Sequence, residues 1–190
     1  MPTGDYNYIP FILSKIRKIN PKKILEIGPG FGKWGVLIRE YLEVYKNLRF
    51  HKKDWLIQLD AVEICPYYKN KLKDFIYNHV YWRSVQKFIE KPPETDYDLV
   101  IMIDVLEHMN KKEGSRVLQG LQRISNNLIV EVPGVLYSKI SKWHKINPYE
   151  DHKCCWNRKE LENIGFQTIN KFENGPFIAH WKEENKYLKT

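Results

Sequence analysis

The chain has 190 residues, and its 31 lysines and arginines outnumber its 23 aspartates and glutamates, which gives a formal net charge of +8. Hydrophobic residues make up 43% of the chain, which excludes an intrinsically disordered protein, and no apolar run reaches the roughly 20 residues of a membrane span. The N-terminus lacks the basic region of a secretory signal, and the three cysteines have neither disulfide nor zinc spacing, so we expect one cytoplasmic domain over residues 1–190 without a membrane partner.

Short apolar runs alternate with amphipathic stretches along the chain. The N-terminal segment 1–20 predicts a helix, because apolar side chains recur at helical spacing over residues 9–19. The apolar runs predict strands over 23–28, 56–64, 97–104 and 128–133, and the intervening periodic stretches predict helices over 33–45, 67–76, 111–125 and 157–166. Two late strand candidates flank Asn174-Gly175, a favoured hairpin turn. This alternation predicts an α/β fold, a Rossmann-like three-layer sandwich with a mainly parallel sheet and a C-terminal antiparallel hairpin.

The segment ILEIGPGFGKWG, residues 24–35, is rich in glycine and lies between a predicted strand and a predicted helix. A phosphate-binding loop of the form GxxxxGK[ST] does not fit, because Ile27 replaces its first glycine and Trp34 replaces its Ser or Thr. A dinucleotide-binding GxGxxG loop does not fit either, since Lys33 stands at its third glycine. A glycine-rich turn that binds no ligand is the remaining alternative to a cofactor loop.

What does fit is E-x-G-x-G-x-G, with Glu26 two residues before Gly28, followed by Gly30 and Gly32. With this motif the chain resembles the small single-domain class I S-adenosylmethionine-dependent methyltransferases, and the resemblance extends from Ile24 to Trp181. It implies a seven-stranded sheet and S-adenosylmethionine as the cofactor. Glu26 and the three glycines would contribute to the cofactor site.

The resemblance also implies how further residues would hold the cofactor. Glu63, at the end of the second predicted strand, would bind both ribose hydroxyls; Asp60 is the weaker candidate for this role. Ser84 stands where the family usually has an acid that meets the adenine, and Trp82 would be either a core residue or one wall of the adenine pocket. Asp104 would lie under the methionine part of the cofactor.

The fourth predicted strand ends in IDVLEHM, residues 103–109, which resembles the D-V-L-E-H segment common in this superfamily. Asp104, Glu107 and His108 share one face if the following turn is helical. An imidazole at this mouth would be a general base for a hydroxyl or an amine. Alternatively, His108 packs under the cofactor.

Residues 134–156 form a predicted substrate-side insertion after the fifth strand. Lysines recur in it every three residues, and they would be either a cationic wall for an acidic substrate or a solvated helix face: Lys139, Lys142 and Lys145. The sequence NPYEDH that follows, with a tryptophan four residues later, resembles the substrate-side segment of small methyltransferases linked to sugar and cell-surface metabolism. We therefore expect Tyr149, Glu150 and Trp156 to contact the acceptor.

His108 and His152 are the predicted catalytic residues. We expect no metal, although Glu107, His108 and His152 form an alternative set of ligands for a divalent ion. The predicted function is methyl transfer to a small molecule, directed at oxygen, with a saccharide or another polar metabolite as acceptor. The alternatives are methylation of RNA or protein, which the net charge of +8 suggests, a cofactor-binding module without activity, and, more remotely, a nicotinamide oxidoreductase.

Overall fold

The computed structural model describes residues 6–133, 147–169 and 176–183. The hairpin turn predicted at Asn174-Gly175 and the three lysines of the predicted insertion lie outside these residues.

Between residue 6 and the end of the third strand, the structure has three strands and four helices. In chain order they are a 3-10 turn (Tyr6–Tyr8), α1 (Ile9–Ile19), β1 (Lys23–Ile27), α2 (Lys33–Arg39), a π-helical turn (Glu40–Val44), α3 (Tyr45–Asn47), β2 (Gln58–Glu63), α4 (Lys71–Ile76) and β3 (His79–Trp82). Two further 3-10 turns connect these elements, at Lys52–Asp54 and Pro66–Tyr68, and another lies in the second half of the chain, at Leu106–His108.

The second half completes the sheet. It comprises α5 (Val85–Glu90), β4 (Leu99–Ile103), α6 (Lys111–Arg123), β5 (Asn127–Val132), a 3-10 turn (Pro148–Glu150), α7 (Arg158–Glu162), β6 (Gln167–Thr168) and β7 (Phe177–Lys182). The predicted strands and helices are confirmed in kind over the described residues, whereas β3 and α5 match no element predicted from the apolar pattern.

Helix boundaries follow local signals in the sequence. Pro10 lies in the first turn of α1, where its missing N–H costs nothing, and Asn20 ends the helix in the left-handed conformation with a φ of 54°. A reciprocal capping box of Asn110 and Glu113 opens α6. These signals fix the end of α1 and the start of α6 along the chain.

The seven strands form one sheet in the order β3-β2-β1-β4-β5-β7-β6. The first five are mutually parallel, while β7 runs antiparallel to both β5 and β6. Strands β1 and β4 are almost completely buried, as their apolar runs predict. The predicted Rossmann-like sandwich with a C-terminal antiparallel pair is therefore confirmed.

Two hydrophobic clusters cover the two faces of this sheet. One contains side chains of α1 and α2, and the other contains side chains of α5, α6 and α7. The three layers leave the carboxyl ends of the parallel strands uncovered at one edge, which is where ligands bind in folds of this kind. Among the described residues no helix is long and apolar enough to cross a membrane.

Candidate functional site

A cavity of about 240 Å³ opens at the carboxyl edge of the sheet. Its walls come mainly from the turns that follow β1, β2 and β4, with further residues after β3 and from the segments 147–150 and 153. Those three turns carry the glycine motif, the proposed ribose acid and the D-V-L-E-H segment. The topology thus brings together motifs that are up to 80 residues apart in the sequence.

The glycine loop has backbone conformations that favour glycine. Gly28 and Gly30 have φ values of 69° and 54°, and both line the cavity. A Cβ on Gly28 would lie 2.5 Å from a methyl carbon of Val105, so the loop also packs too closely there for a side chain. Gly32 instead caps the N-terminus of α2 and is not among the cavity-lining residues.

Glu63 is held by three donors at the end of β2. Its Oε1 accepts the N–H of Cys65 at 2.8 Å, and its Oε2 accepts the N–H of Gly30 at 3.1 Å and the ammonium of Lys73 at 3.3 Å. Lys73 is fully buried, and this burial lowers its pKa. Because a carboxylate oxygen can accept two hydrogen bonds, Oε1 retains capacity for a ligand hydroxyl.

The alternative ribose acid, Asp60, is used inside the protein. It is fully buried and accepts hydrogen bonds from the hydroxyl of Tyr97 at 3.0 Å and from the amide of Gln58 at 2.7 Å. It is not among the cavity-lining residues, whereas Glu63 is. The geometry therefore favours Glu63.

Glu26 lies beneath the glycine loop and is not among the cavity-lining residues. Its Oε2 accepts a hydrogen bond from the hydroxyl of Tyr77 at 2.7 Å. Complete burial raises the pKa of Glu26 from 4.5 to about 7. This placement indicates a role in supporting the loop rather than in direct contact with a ligand.

The prediction that Ser84 faces the adenine is not matched by its position. Its hydroxyl accepts the N–H of Lys87 at 3.3 Å and so caps α5, whereas its neighbours Arg83 and Gln86 line the cavity. Trp82 lies outside both hydrophobic clusters and is 37% exposed. Its ring faces the ammonium group of Lys73 at 5.0 Å, so the core interpretation of Trp82 is not supported.

Asp104 follows β4 with a φ of 52°, an uncommon conformation for a residue with a side chain. Burial raises the pKa of its carboxyl, which is hydrogen-bonded to the side chain of Glu131 on the neighbouring strand. Burial and the charge of Asp104 raise the pKa of Glu131 to about 10, so Glu131 is the protonated partner at neutral pH and donates to Asp104. Among the described residues, Oδ2 of Asp104 has no hydrogen-bond partner.

Two histidines and a buried glutamate meet beside Asp104. The Nε2 atoms of His108 and His152 each lie 3.9 Å from Oε1 of Glu107, and the imidazole centroids are 5.0 Å apart. Burial lowers the pKa of both histidines, so both are neutral at pH 7. His108 Nδ1 lies 3.0 Å from the carbonyl of Asp151; because a carbonyl only accepts, Nδ1 carries the proton and Nε2 is the basic atom.

The same three side chains have a donor set suited to a metal ion. Their ligand atoms, from Glu107, His108 and His152, lie within 4.8 Å of one another. Burial and the charge of Asp104 raise the pKa of Glu107 to about 8, and its Oε2 is buried without a hydrogen-bond partner among the described residues. Imidazole and carboxylate ligands fit a divalent ion such as manganese, iron or zinc.

The predicted acceptor residues separate into two groups. Tyr149 and Glu150 line the cavity, and Tyr149 is 44% exposed. Trp156 is only 3% exposed and packs against Gly114 of α6 in the hydrophobic core. The prediction that Trp156 contacts the acceptor therefore disagrees with its position. Trp156 does not form a wall of the site; its side chain packs in the core and so anchors the loop that carries it.

Several cavity residues were missed by the sequence analysis, among them Lys33, Tyr68, Arg83, Gln86, Asn147 and Lys153. The position of Tyr68, a few residues after the ribose acid, was a usable signal. No sequence signal pointed to the buried Lys73, because a lysine on an amphipathic helix is normally solvated.

Comparison with known families identifies the class of protein. A family model described as a methyltransferase domain matches residues 7–168, which is most of the chain, and the chain therefore belongs to that family. No curated protein sequence matches it significantly.

Several solved structures have the same fold as this chain. The methyltransferase domain of bacterial CtHen1 is 18% identical, with a TM-score of 0.57 over 94% of this chain and 100% of that one. The N-terminal domain of EvdMO1, solved with S-adenosylhomocysteine bound, is 11% identical, with a TM-score of 0.62 over 95% and 82%. The N-methyltransferase NodS from Bradyrhizobium japonicum is 10% identical, with a TM-score of 0.56 over 95% and 99%.

The cofactor of this family is S-adenosylmethionine, and the cavity suits it. The unpartnered buried oxygen of Asp104 and the carboxylate of Glu63 give the cavity floor negative charge that complements a sulfonium cation. The narrow glycine loop allows close approach of a ligand to the backbone. The chain is an S-adenosylmethionine-dependent methyltransferase.

Proposed function

We propose that this methyltransferase acts on a hydroxyl group of a small polar acceptor, such as a saccharide, and that its two site histidines remove the hydroxyl proton. The observation that carries the proposal is the position of a neutral imidazole, with Nε2 as its basic atom, on the cavity wall beside Asp104. A hydroxyl acceptor needs such a base because it is a weak nucleophile until its proton is withdrawn.

The cofactor, when bound, supplies an electrophilic methyl group on a positively charged sulfur. The remaining work belongs to the chain. Glu63 and the glycine loop would orient the ligand through hydrogen bonds, and Asp104 would stabilise positive charge at the cavity floor. The wall formed by Tyr149 and its neighbours would exclude water and align the acceptor, and alignment alone is worth roughly 7–11 kcal/mol in favourable cases.

His108 is the better placed of the two bases, since it lines the cavity directly. His152 lies behind it, at 3.9 Å from the shared Glu107 carboxylate, where it would receive or relay the proton. With Glu107 largely protonated at neutral pH, the pair has no strong anionic partner, so both imidazoles stay neutral and ready to accept a proton.

The test is a screen for release of S-adenosylhomocysteine with sugars and other hydroxylated metabolites as acceptors. In the presence of an accepted substrate, His108→Ala should lower turnover roughly 10²–10⁴-fold. Its affinity for S-adenosylhomocysteine should stay close to that of wild type, because His108 belongs to neither the glycine loop nor the ribose acid. Tyr67→Phe, at a residue 77% exposed, is the matched control and should not change turnover.

The pH dependence of turnover gives a second readout. Because burial lowers the pKa of both histidines, turnover should rise with pH through a value below the ordinary ~6.5 and then level off. This acidic limb should disappear in the residual activity of the alanine variant. Turnover of His108→Ala and His152→Ala equal to wild type would contradict the proposal.

A metal-supported reaction predicts a different pattern. If the Glu107, His108 and His152 cluster holds a divalent ion, a chelator would abolish wild-type turnover and added manganese, iron(II) or zinc would restore it. If the histidines act as bases, the chelator would have no effect.

RNA is the second candidate acceptor, and one feature of the cavity rim favours it. Phe31, which packs against the cavity-lining Tyr68, is 56% exposed, and Tyr149 is 44% exposed. Two lysines, Lys33 and Lys153, line the same cavity. Exposed rings and cations together can stack on and neutralise single-stranded nucleic acid. Short RNA oligomers therefore belong in the acceptor screen, and methylation of RNA alone would replace the small-molecule assignment.

A further inference from the structure

A hydrogen-bonded bridge crosses the mouth of the cavity. The hydroxyl of Tyr68 donates to Oε1 of Glu150 at 2.8 Å, and it accepts from the amide of Asn147 at 3.1 Å. Tyr68 belongs to the turn after β2, whereas its two partners belong to the acceptor-side turn that contains Tyr149. The two sides of the cavity are therefore joined through one phenol group.

Both ends of this bridge are themselves anchored. The N–H of Tyr68 donates to the carbonyl of Cys65 at 3.2 Å, and the N–H of Cys65 donates to the ribose acid Glu63. The ring of Tyr68 packs edge-on against Phe31 of the glycine loop, with centroids 5.1 Å apart. A ligand that contacts the glycine loop and Glu63 thus contacts the two segments that position Tyr68.

The acceptor end leads to the reacting groups. Asn147 is 6% exposed and fixes the turn by accepting the N–H of Tyr149 at 3.0 Å. Further along this segment, the carbonyl of Asp151 orients His108, and the N–H of Lys153 donates to the carbonyl of Glu107 at 2.8 Å. Displacement of the turn would therefore move the wall of the site and the partner of the catalytic imidazole together.

We propose that Tyr68 is a positioning residue that couples cofactor binding to the geometry of the acceptor wall. Occupancy of the ribose site stabilises the turn that carries Tyr68, and the phenol transmits that stabilisation to residues 147–154. By linkage, an ordered acceptor wall also strengthens cofactor binding. The proposal rests on the cofactor site alone and holds for any acceptor.

The experiment is hydrogen exchange of the full chain with and without S-adenosylhomocysteine, followed by mass spectrometry of peptides that cover residues 147–154. In wild type, the ligand should slow exchange of these amides about fivefold or more, the lower end of common coupling between sites. In Tyr68→Phe, which keeps the ring but removes the hydroxyl, this protection should fall below about twofold, while protection of the glycine loop persists. Tyr67→Phe should behave like wild type.

Two variants of Glu150 separate the bridge from a charge effect. Glu150→Gln retains an acceptor oxygen for Tyr68 and should keep the protection, whereas Glu150→Ala should lose it as Tyr68→Phe does. Glu150→Ala also serves as the test if Tyr68→Phe fails to fold. Full protection of residues 147–154 in Tyr68→Phe or in Glu150→Ala would overturn the proposal. So would a loss of ligand affinity in Tyr68→Phe that exceeds the loss of exchange protection by more than about tenfold, about 1.4 kcal/mol, because linkage makes the two losses equal and the excess would mark Tyr68 as a direct binding residue.

Discussion

Gly30 carries the close contact between the glycine loop and the ribose acid, since its N–H donates to Glu63 and its φ is 54°. A β-branched side chain at this φ is strained, and it would extend into the cavity. Gly30→Val should therefore abolish binding of S-adenosylmethionine in calorimetry while the domain stays folded by circular dichroism.

The matched control for that variant is a glycine with a similar conformation away from the cavity. Gly165 has a φ of 91° and follows α7. Gly165→Val should destabilise the fold by a comparable amount but leave cofactor affinity unchanged. Loss of binding in both variants would mean that general destabilisation, rather than the loop, is responsible.

Glu26 predicts how stability changes with pH. Its pKa is about 7 in the folded protein and 4.5 in the unfolded chain, so the folded state binds more protons between these values. The stabilisation from this carboxyl is fully present below pH 4.5 and is lost as pH rises through 7, in total about 3 kcal/mol at 1.36 kcal/mol per unit.

Urea unfolding at pH 5 and pH 8 measures this term. Wild type should lose about 2–3 kcal/mol more between the two pH values than Glu26→Gln, whose side chain is neutral throughout but still accepts from Tyr77. Equal losses in the two proteins would show that Glu26 is not protonated on folding.

At the scale of elements, Trp156 connects the acceptor-side segment to α6. Its indole fills the space above Gly114, where a Cβ would lie 2.7 Å from the ring, and the ammonium of Lys111 lies 4.3 Å from the ring centroid. Trp156→Ala should cost about 3–5 kcal/mol of stability, as is usual for a buried tryptophan. The partly exposed Trp82→Ala should cost much less.

Denaturant titration of both variants tests this assignment. Trp156→Phe should regain part of the stability and show normal turnover. If Trp156→Ala has near-normal stability but loses turnover, the core assignment is wrong and Trp156 contacts the acceptor.

The elements themselves were largely predictable, for a physical reason. Parallel strands buried on both faces need continuous apolar runs, which the sequence shows over residues 97–104 and 128–133. Helix α5 was not predicted because it is only six residues long. Over so short a stretch, the helical periodicity of apolar residues is too weak to recognise.

At the scale of the whole molecule, the predictable part of the site was the part built from contiguous motifs. Five residues lie at the ends of strands or within a few residues after them, so sequence alone places them at one edge: Gly28, Gly30, Glu63, Asp104 and His108. Glu131 and Lys73 were not predictable, because their roles arise from carboxylates on other strands that only the tertiary fold brings near. For Ser84 and Trp156, the motif predicts contact with a ligand, but the side chains have structural roles. Ser84 caps a helix, and Trp156 packs in the hydrophobic core.

The chain as a whole has a net charge of +8, but the charge at the cavity floor has the opposite sign. Around the reaction centre Glu107 and Glu131 are largely protonated at neutral pH, since their pKa values are about 8 and about 10, so the carboxylates of Asp104 and Glu63 supply the negative charge. The cavity floor therefore attracts a cation even though the molecule as a whole attracts anions. Cofactor affinity should accordingly depend on Asp104 far more than on surface lysines.

The most direct test of the site is a crystal structure of the full chain with S-adenosylhomocysteine. We expect the ribose hydroxyls within hydrogen-bonding distance of Glu63, the glycine loop against the ligand backbone, and the sulfur directed towards Asp104 and His108. A ligand bound away from the carboxyl edge of the sheet, or one whose ribose contacts Asp60 or no carboxylate at all, would contradict the assignment of the site.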